Sequence, residues 1–467
     1  MKKARKILCL VVACLMALSL LAACGKTTVS EEKQASTQKA DDKSSTQKEA
    51  DTAKPSGPVK LKFTFPKPVD NPAMKEYIKY AKEKLNYDIE FVDINPVAQE
   101  YDKKLSISMM AGDAPADVFY YYAAILDKYI AADTVLPLND IAQKANVNLQ
   151  TKYGTGLTVK DNKVYGLPQT RDIWVTLYNK KIFDDAGVPY PTAEGWTWSK
   201  YIETAKKLTN PSKGIYGSFM NLDWDSFQYM TAHQKGIPDY KADGTSNFDD
   251  PAFIEALKFA HDLAGKEKIQ PSILTLKSKQ LPWDSFGTGK YAMTVNGGWS
   301  TCFVMDKKTY PRDWKYGVLP MPYPDGSKPA SSMVIGGLAV AKGTKNAEAA
   351  FKLAELFASD SFKFDTERMP TRLDMSKDEI NSYITTNFIK GHEDDGVTVE
   401  DYIKCWFNPE ITLTPEKVNG PGASVINSTF ISEGELYGIG KKSAEDAMKN
   451  VKQKADTAIA EEKKANK

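Results

Sequence analysis

From Pro58 onwards, the hydrophobic residues follow two periodicities that alternate along the chain. Residues 59–65 alternate apolar and polar side chains, as in a strand with one buried face. Residues 74–85 carry apolar side chains three or four positions apart, which is the spacing of one helix face. Residues 89–92 and 117–121 are short and apolar, and each is typical of a strand. This strand–helix–strand order predicts an α/β fold with parallel sheets covered by helices.

Helix starts further along the chain carry capping signals. Asp250 stands directly before a proline, which combines an N-cap with a favoured first helical residue. Ser443 opens a segment that resembles a capping box. Thr197 can cap a helix whose apolar stripe begins at Trp198, so Trp198 is predicted to lie in the core.

The N-terminus has a different pattern. Four basic residues among the first six precede an apolar run over residues 7–21, which is shorter than the roughly 20 residues of a membrane span. The run ends in Leu21-Ala22-Ala23-Cys24, which resembles the lipobox of bacterial lipoproteins. We therefore predict a signal peptide over residues 1–23 and lipidation of Cys24, which anchors the protein on the extracytoplasmic face of the cell membrane. An ordinary secretory signal that ends in cysteine is the alternative.

Residues 24–57 are predicted to be a disordered linker behind the lipidated cysteine. After Cys24 the segment contains a single branched aliphatic residue, Val29, among many Lys, Ser, Thr and acidic residues. It cannot bury enough apolar surface to offset the entropy of ordering. As a random coil it would span roughly 30 Å, which holds a folded domain away from the membrane.

Charge and cysteine content narrow the class of protein. Removal of residues 1–23 takes away four basic and no acidic residues, so the formal charge changes from +2 to −2. Without a basic block, a nucleic-acid partner is not expected. Cys302 and Cys405 remain as thiols, and two buried small residues are favoured over a disulfide. The remaining chain is long enough for two hydrophobic cores.

Several segments together resemble the family-1 extracellular solute-binding proteins of bacterial ABC importers, the group that includes maltose-binding protein. The segments follow the order of that family over nearly all of residues 58–467. They are Leu167-Pro168, Leu177–Lys180, Ala186–Pro189, Phe286–Met293, Asn296–Trp299, Tyr316–Pro320, Ile335–Ala339 and Lys345–Ala350.

The resemblance implies two α/β lobes joined by a hinge, with an interlobe cleft between them. Lobe 1 would comprise residues 58–170 and 318–362, and lobe 2 residues 171–317 and 363–467. The implied function is the capture of an extracellular solute, with an oligosaccharide favoured, by a monomer that delivers it to the membrane subunits of an ABC permease. A surface-anchored carbohydrate-active enzyme and a lipoprotein for peptides or other polar solutes remain as alternatives.

Candidate ligand contacts combine flat aromatics with polar groups, as sugar sites require. The resemblance makes Trp299 a sugar-stacking residue, set at the cleft edge by an Asn-Gly-Gly turn expected to adopt positive φ angles. Asp172 has the spacing from Tyr178 of a sugar-binding acid in maltose-binding protein, and is expected on the opposite side of the cleft. Arg171 and Trp174 flank it and either contribute to binding or stabilise the hinge.

Five further residues are candidate ligand contacts on weaker sequence signals. Tyr120 and Tyr122 end a predicted strand, where open α/β sheets bind ligands, and alternation places them on one face with Tyr121 on the other. Trp224 and Trp283 each precede an aspartate and could line the cleft, and a late loop contributes Arg372 by resemblance.

No catalytic, metal or cofactor site is predicted. The three histidines, His233, His261 and His392, lack ligand spacing, and nucleophile and zinc motifs are absent. Acid pairs of the glycosidase kind remain open from sequence. The aspartates near Asp243 and Asp250 are interpreted as a turn and an N-cap rather than as calcium ligands.

Overall fold

The computed structural model of the chain describes residues 58–95, 98–169, 171–334, 336–365 and 368–465. The predicted signal peptide, the lipidation site at Cys24 and the predicted linker up to residue 57 lie outside these residues. Within the described part of the chain, every helix is too short or too polar to cross a membrane.

The strands of the described residues form two sheets. In chain order they are β1 Val59–Thr64, β2 Tyr87–Phe91, β3 Val118–Tyr122, β4 Thr158–Lys160, β5 Lys163–Pro168, β6 Asp172–Asn179, β7 Tyr216–Phe219, β8 Tyr291–Gly297, β9 Tyr316–Pro320, β10 Ala330–Val334, β11 Gly336–Val340 and β12 Thr412–Pro415.

The helices cover these sheets. In chain order they are α1 Pro72–Leu85, α2 Ala98–Met110, α3 Ala123–Ala131, α4 Asn139–Lys144, α5 Leu149–Tyr153, α6 Lys180–Ala186, α7 Trp198–Leu208, α8 Asp225–Gln234, α9 Pro251–Gly265, α10 Ile273–Lys279, α11 Thr301–Met305, α12 Ala347–Asp360, α13 Lys377–Ile384, α14 Val399–Trp406, α15 Ala423–Gly438 and α16 Ala444–Ala465.

The first sheet has the order β2-β1-β3-β11-β5-β4 and combines two pairing modes. β1 pairs in parallel with β2 and β3, as the strand–helix–strand pattern predicts. β11 pairs antiparallel with β3 and β5, and β4 pairs antiparallel with β5. The prediction of a parallel sheet is wrong for these strands, because β4 and β5 are joined by a tight turn and β11 arrives from a distant segment.

The second sheet is built around β6, in the order β12-β10-β6-β8-β7. β6 is buried along its whole length, and it pairs antiparallel with β8, β9 and β10. It begins at Asp172, directly after the chain has left the first sheet, and ends at Asn179. The start of β6 therefore lies where the two sheets meet.

Each sheet belongs to one lobe of the predicted two-lobe fold. Lobe 1 holds the described residues of 58–169 and 336–365, and lobe 2 those of 171–334 and 368–465. The predicted assignment of residues 318–362 to lobe 1 is wrong at both ends. β9 and β10 pair with β6 of lobe 2, and Phe364 still packs against the core of lobe 1.

The lobe 1 core depends on a helix that comes late in the chain. The ring of Phe357 on α12 lies 4.4 Å from that of Tyr77 and 5.5 Å from that of Phe63, measured between centroids. Because α12 follows β11, this core is complete only when the chain has returned from lobe 2.

Local predictions in lobe 2 are confirmed. Asp250 caps α9 with proline at its start, and Thr197 caps α7. Trp198 is 3% exposed and lies in the core. Cys405 is buried and Cys302 partly buried, and they do not form a disulfide with each other.

Candidate functional site

Four aromatic side chains of lobe 2 form a cluster that we call the Trp platform: Trp224, Trp283, Trp299 and Phe303. The centroid of the Trp299 ring lies 5.0 Å from that of Trp283, 5.9 Å from that of Trp224 and 6.0 Å from that of Phe303. Trp283 is 37% exposed, and Trp224 and Trp299 are half-buried. The three tryptophans that the sequence marks as separate candidates are thus neighbours, with apolar surface left open to solvent.

The loop that carries Trp299 needs its glycines because indole rings pack closely against the backbone, and not because the backbone adopts positive φ angles. β8 continues through Gly297, whose φ is −58°, so the expected left-handed turn is absent from residues 296–298. A Cβ atom on Gly297 would lie 2.1 Å from Nε1 of Trp299, and one on Gly298 would lie 2.7 Å from the Trp406 ring. Glycine is needed here because two indole rings occupy the space of a side chain.

Asp172 holds this loop from the first position of β6. Its carboxylate is 4% exposed, and Oδ1 accepts a hydrogen bond from the backbone N–H of Trp299 at 2.9 Å. Oδ2 accepts one from the Arg368 guanidinium at 2.8 Å. Burial raises the pKa of Asp172, against the opposing effects of Arg368 and of the backbone N–H groups. The expectation that Asp172 faces Trp299 across the cleft is wrong, because both belong to lobe 2 and touch each other.

The neighbours of Asp172 have packing roles. Nε of Arg171 donates to the backbone oxygen of Trp406 at 2.7 Å, and its guanidinium lies 5.9 Å from the Phe407 ring. Trp174 is 1% exposed and packs edge-on against Phe227 at 5.0 Å. Trp174 is thus packed in the core of lobe 2, in agreement with a role in stabilising the hinge, and its alternative role as a ligand contact stays a prediction. Arg171 still lines one small cavity together with Asp172, Trp299 and Arg368.

Lobe 1 contributes a tyrosine pair at the end of β3. The rings of Tyr120 and Tyr122 lie 4.9 Å apart, while Tyr121 forms a hydrogen bond with Thr158 on the other face of the sheet. The predicted alternation is confirmed. Burial raises the pKa of Tyr122 to about 12, with a further rise from the Asp102 carboxylate and an opposing effect of Arg368. Tyr122 is half-buried, and Tyr120 is 6% exposed.

Arg372 forms an ion pair with Asp374 rather than with Asp172. Its Nε donates to Asp374 at 2.8 Å, and the next residue, Leu373, donates its backbone N–H to Lys152 of lobe 1. The arginine at the hinge is Arg368, four residues earlier. The ion pair with Asp172 is made by Arg368, whereas Arg372 pairs with Asp374; the assignment of Arg372 as a ligand contact stays a prediction.

Sequence reasoning missed three charged groups near the site: Asp102 on α2 of lobe 1, and Glu416 and Lys417 after β12 of lobe 2. Burial raises the pKa of Asp102 to about 7, against the effect of Lys417 on the other lobe. Burial also raises the pKa of Glu416 to about 7, against Lys417, with Asp225 and Asp172 adding to the rise. The one available signal was the buried stripe of α2, formed by Tyr101, Leu105 and Met109, which Asp102 borders.

The described residues offer no group of three His, Cys, Asp or Glu side chains placed to hold a metal ion. Asp250 serves as a helix cap, and Asp243 accepts hydrogen bonds from the backbone and hydroxyl of Thr245, as the interpretation of a turn and an N-cap predicts. The site is built from aromatic rings, carboxylates, the guanidinium groups of Arg171 and Arg368, and one ammonium group. Such a set binds polar solutes with apolar faces.

Comparisons with curated proteins find distant relatives. A binding protein of Brucella abortus is 26% identical over 208 residues, which cover 44% of this chain and 49% of that protein. The arabinooligosaccharide-binding protein of Halalkalibacterium halodurans is 25% identical over 187 residues, which cover 38% of this chain and 41% of that protein. The chain thus matches about half, or less than half, of the length of these curated relatives.

Solved structures share the fold over most of the chain. An ABC substrate-binding protein from Listeria monocytogenes in complex with cycloalternan is 23% identical, with a TM-score of 0.69 over 86% of this chain and 99% of that one. The sugar-binding protein MalE from Xanthomonas citri is 18% identical, with a TM-score of 0.69 over 87% and 99%. A model of the family described as bacterial extracellular solute-binding protein matches residues 66–363, more than half of the chain. The chain therefore belongs to the bacterial extracellular solute-binding protein family.

Proposed function

We propose that this protein is the substrate-binding lipoprotein of an ABC importer and that its ligand is an oligosaccharide. The observation that carries the proposal is the Trp platform next to the Asp172–Arg368 ion pair. Sugar rings present C–H faces that stack on indoles and hydroxyl groups that bond to carboxylates and guanidinium groups. The names of similar proteins agree with this ligand class, since they include an arabinooligosaccharide-binding protein and a MalE.

Binding would act by closing the lobes. The Trp platform belongs to lobe 2, whereas Tyr122 and Asp102 belong to lobe 1. A ligand held on the platform reaches the second set of groups only when the lobes approach each other. Because the ligand gains contacts with both lobes only in the closed state, it shifts the population toward that state. The closed, ligand-loaded form would then deliver the ligand to the permease.

Anchoring at Cys24 would keep the binding lobes near the permease. The lipobox-like segment Leu21–Cys24 supports lipidation, and the polar segment over residues 25–57 is long enough to let the lobes move above the membrane. One binding site per chain requires no partner copy, so we propose a monomer. Delivery then depends on encounters between a tethered, ligand-loaded protein and the membrane subunits.

A thermal-shift screen tests the proposed function. The purified chain from residue 24, carrying Cys24→Ser, is melted in the presence of oligosaccharides of different linkage, and the sugar is recovered for chromatography. One class of oligosaccharide should stabilise the protein by about 3–4 kcal/mol at several hundred times its Kd, since stabilisation follows RT ln(1 + [L]/Kd). The recovered sugar should be chemically intact.

Two results would contradict the proposal in different ways. Shorter products in the recovered sugar would identify a hydrolase. Stabilisation by peptides or amino acids, with none by any sugar, would leave a solute-binding protein with another ligand class.

A further inference from the structure

The described chain passes between the two lobes three times, and Asp172 lies beside each of these crossings. The nearest described residues of lobe 2 are Arg171, Val334 and Arg368. Arg171 precedes Asp172 in the chain, and Val334 is the pairing partner of Asp172 between β10 and β6. The guanidinium of Arg368 donates a hydrogen bond to Oδ2 of Asp172 at 2.8 Å. One residue therefore connects all three segments that join the lobes.

The other oxygen of the same carboxylate holds the Trp platform. Oδ1 of Asp172 accepts a hydrogen bond from the backbone N–H of Trp299 at 2.9 Å. The side chain of Asp172 is 3% exposed, and each of its oxygens already has a protein donor. Little of the carboxylate is left for a ligand hydroxyl, whereas its bonds to charged and backbone donors fix the groups around it.

The position of Trp299 depends on its backbone. A Cβ atom on Gly298 would lie 3.0 Å from the backbone oxygen of Ile173, so this loop packs directly against the start of β6. The Trp299 ring has aromatic neighbours at 5.0, 5.9 and 6.0 Å, and a shift of its backbone changes the surface that all of them form. Binding sites need their side chains held within about 0.5 Å of the productive geometry.

We propose that Asp172 is a positioning residue and not a ligand contact. Bonded to Arg368 on one side and to Trp299 on the other, it fixes the orientation of the Trp platform and ties the platform to the segments that join the lobes. This inference rests on the proposed function and deepens it, because it assigns Asp172 an effect on binding that acts through Trp299.

A double-mutant cycle between Asp172 and Trp299 tests this role. The purified chain from residue 24, carrying Cys24→Ser, is titrated by calorimetry with malto-, xylo-, manno- and arabino-oligosaccharides. Asp172→Asn should weaken the tightest-binding of these sugars about tenfold, because the bond to the Arg368 guanidinium is weakened. In the Trp299→Ala background the same substitution should change the Kd by less than about twofold, since the ring that Asp172 positions is gone.

A second measurement needs no ligand. Fluorine NMR of protein labelled with fluorotryptophan reports on each indole, and the resonance lost in Trp299→Phe identifies Trp299. Asp172→Ala removes the acceptor of the Trp299 N–H and should shift or broaden this resonance. Asp172→Asn keeps an acceptor oxygen and should return the resonance toward its wild-type position. The dispersion of the other tryptophan resonances verifies that each variant is folded.

Glu433→Gln is the matched control. Glu433 is likewise a buried carboxylate of lobe 2, 3% exposed, and its ion pair is with Lys442. This variant should leave both the sugar affinity and the Trp299 resonance unchanged. A general loss of lobe 2 stability would change them in Glu433→Gln as well.

Three results would overturn the inference and leave the proposed function intact. A tenfold loss from Asp172→Asn in both backgrounds would make the carboxylate a direct sugar contact. An unchanged Kd in both backgrounds would remove its effect on binding. A Trp299 resonance that is unchanged in Asp172→Ala would show that the ring does not depend on this carboxylate. If none of the sugars binds, the proposed function is contradicted, and the resonance of the ligand-free protein still decides the role of Asp172.

Discussion

Truncation of Trp299 is the sharpest test of the Trp platform. In the free protein the ring is half-buried among three aromatic neighbours at centroid distances of 5.0 to 6.0 Å, and Asp172 holds its backbone N–H. Trp299→Ala removes the central ring of the platform but leaves the backbone hydrogen bond in place. Aromatic hot spots typically contribute about 2 kcal/mol or more to binding, so affinity for the oligosaccharide should fall at least roughly 30-fold.

The same change should affect folding less than binding. A fully buried Trp replaced by Ala would lose roughly 3–5 kcal/mol of stability. Because Trp299 is only half-buried, we expect a loss of about 1–2 kcal/mol, which leaves the lobe folded. Titration calorimetry gives the affinity and scanning calorimetry gives the stability of the same sample.

A second aromatic of lobe 2 provides the matched control. Tyr190 is 42% exposed and packs against Tyr178 and Phe183, beside the far end of β6 from Asp172. Tyr190→Ala should lower stability by a similar amount without changing sugar affinity. Unchanged affinity in Trp299→Ala together with a stability loss above about 3 kcal/mol would refute the site and make Trp299 a core residue.

Three further predictions concern charge and anchoring. Asp172→Asn keeps an oxygen for the backbone N–H of Trp299 but loses the ion pair with Arg368, so calorimetry should show a binding loss of about 1–2 kcal/mol; an unchanged Kd would contradict this. Asp102 and Glu416 have folded-state pKa values of about 7, above their usual range, so the folded state binds more protons between about pH 4 and 7 and its stability falls as the pH rises through that interval. Relative to the Asp102→Asn/Glu416→Gln double variant, which keeps Lys417, Asp225, Asp172, Tyr120 and Tyr122 around these positions, wild type should lose roughly 4–5 kcal/mol between pH 5 and pH 8 in denaturant titrations, or roughly 2–3 kcal/mol for each acid; equal pH profiles would exclude this. Cys24→Ser should release the protein into the medium or leave an unprocessed precursor on cell fractionation, whereas a processed, membrane-bound variant would contradict lipidation.

Local signals predicted the elements well because they arise within a few residues. The caps at Thr197 and Asp250 depend on hydrogen bonds to backbone groups two or three positions away, and these are present. Local signals do not predict which strands pair with each other, because hydrophobic periodicity carries no information on the partner of a strand. Tyr316–Pro320 was correctly expected as a family segment, yet its pairing with β6 places it in lobe 2 and moves the lobe boundary to residue 336.

The residues of the candidate site also divide into those that the sequence could mark and those that it could not. Tryptophans are few, so Trp224, Trp283 and Trp299 could be selected individually, and their assignment as ligand contacts stays a prediction. Charged residues give no such signal, because the chain contains 60 acidic and 62 basic side chains. The sequence also does not distinguish Arg368, which pairs with Asp172 at a distance of 196 positions along the chain, from Arg372, which pairs with the nearby Asp374.

The late arrival of β11 has a consequence for biogenesis. β3 is synthesised more than two hundred residues before its neighbour β11, and α12 follows later still. Until then, β3 lacks one of its two neighbouring strands, and the rings of Phe63 and Tyr77 lack their contacts with Phe357. Such long-range pairing slows folding, so the nascent chain remains incompletely folded for longer. For a chain with the predicted signal peptide, slow folding would be an advantage, because a polypeptide that stays unfolded in the cytosol can still pass through a translocation channel.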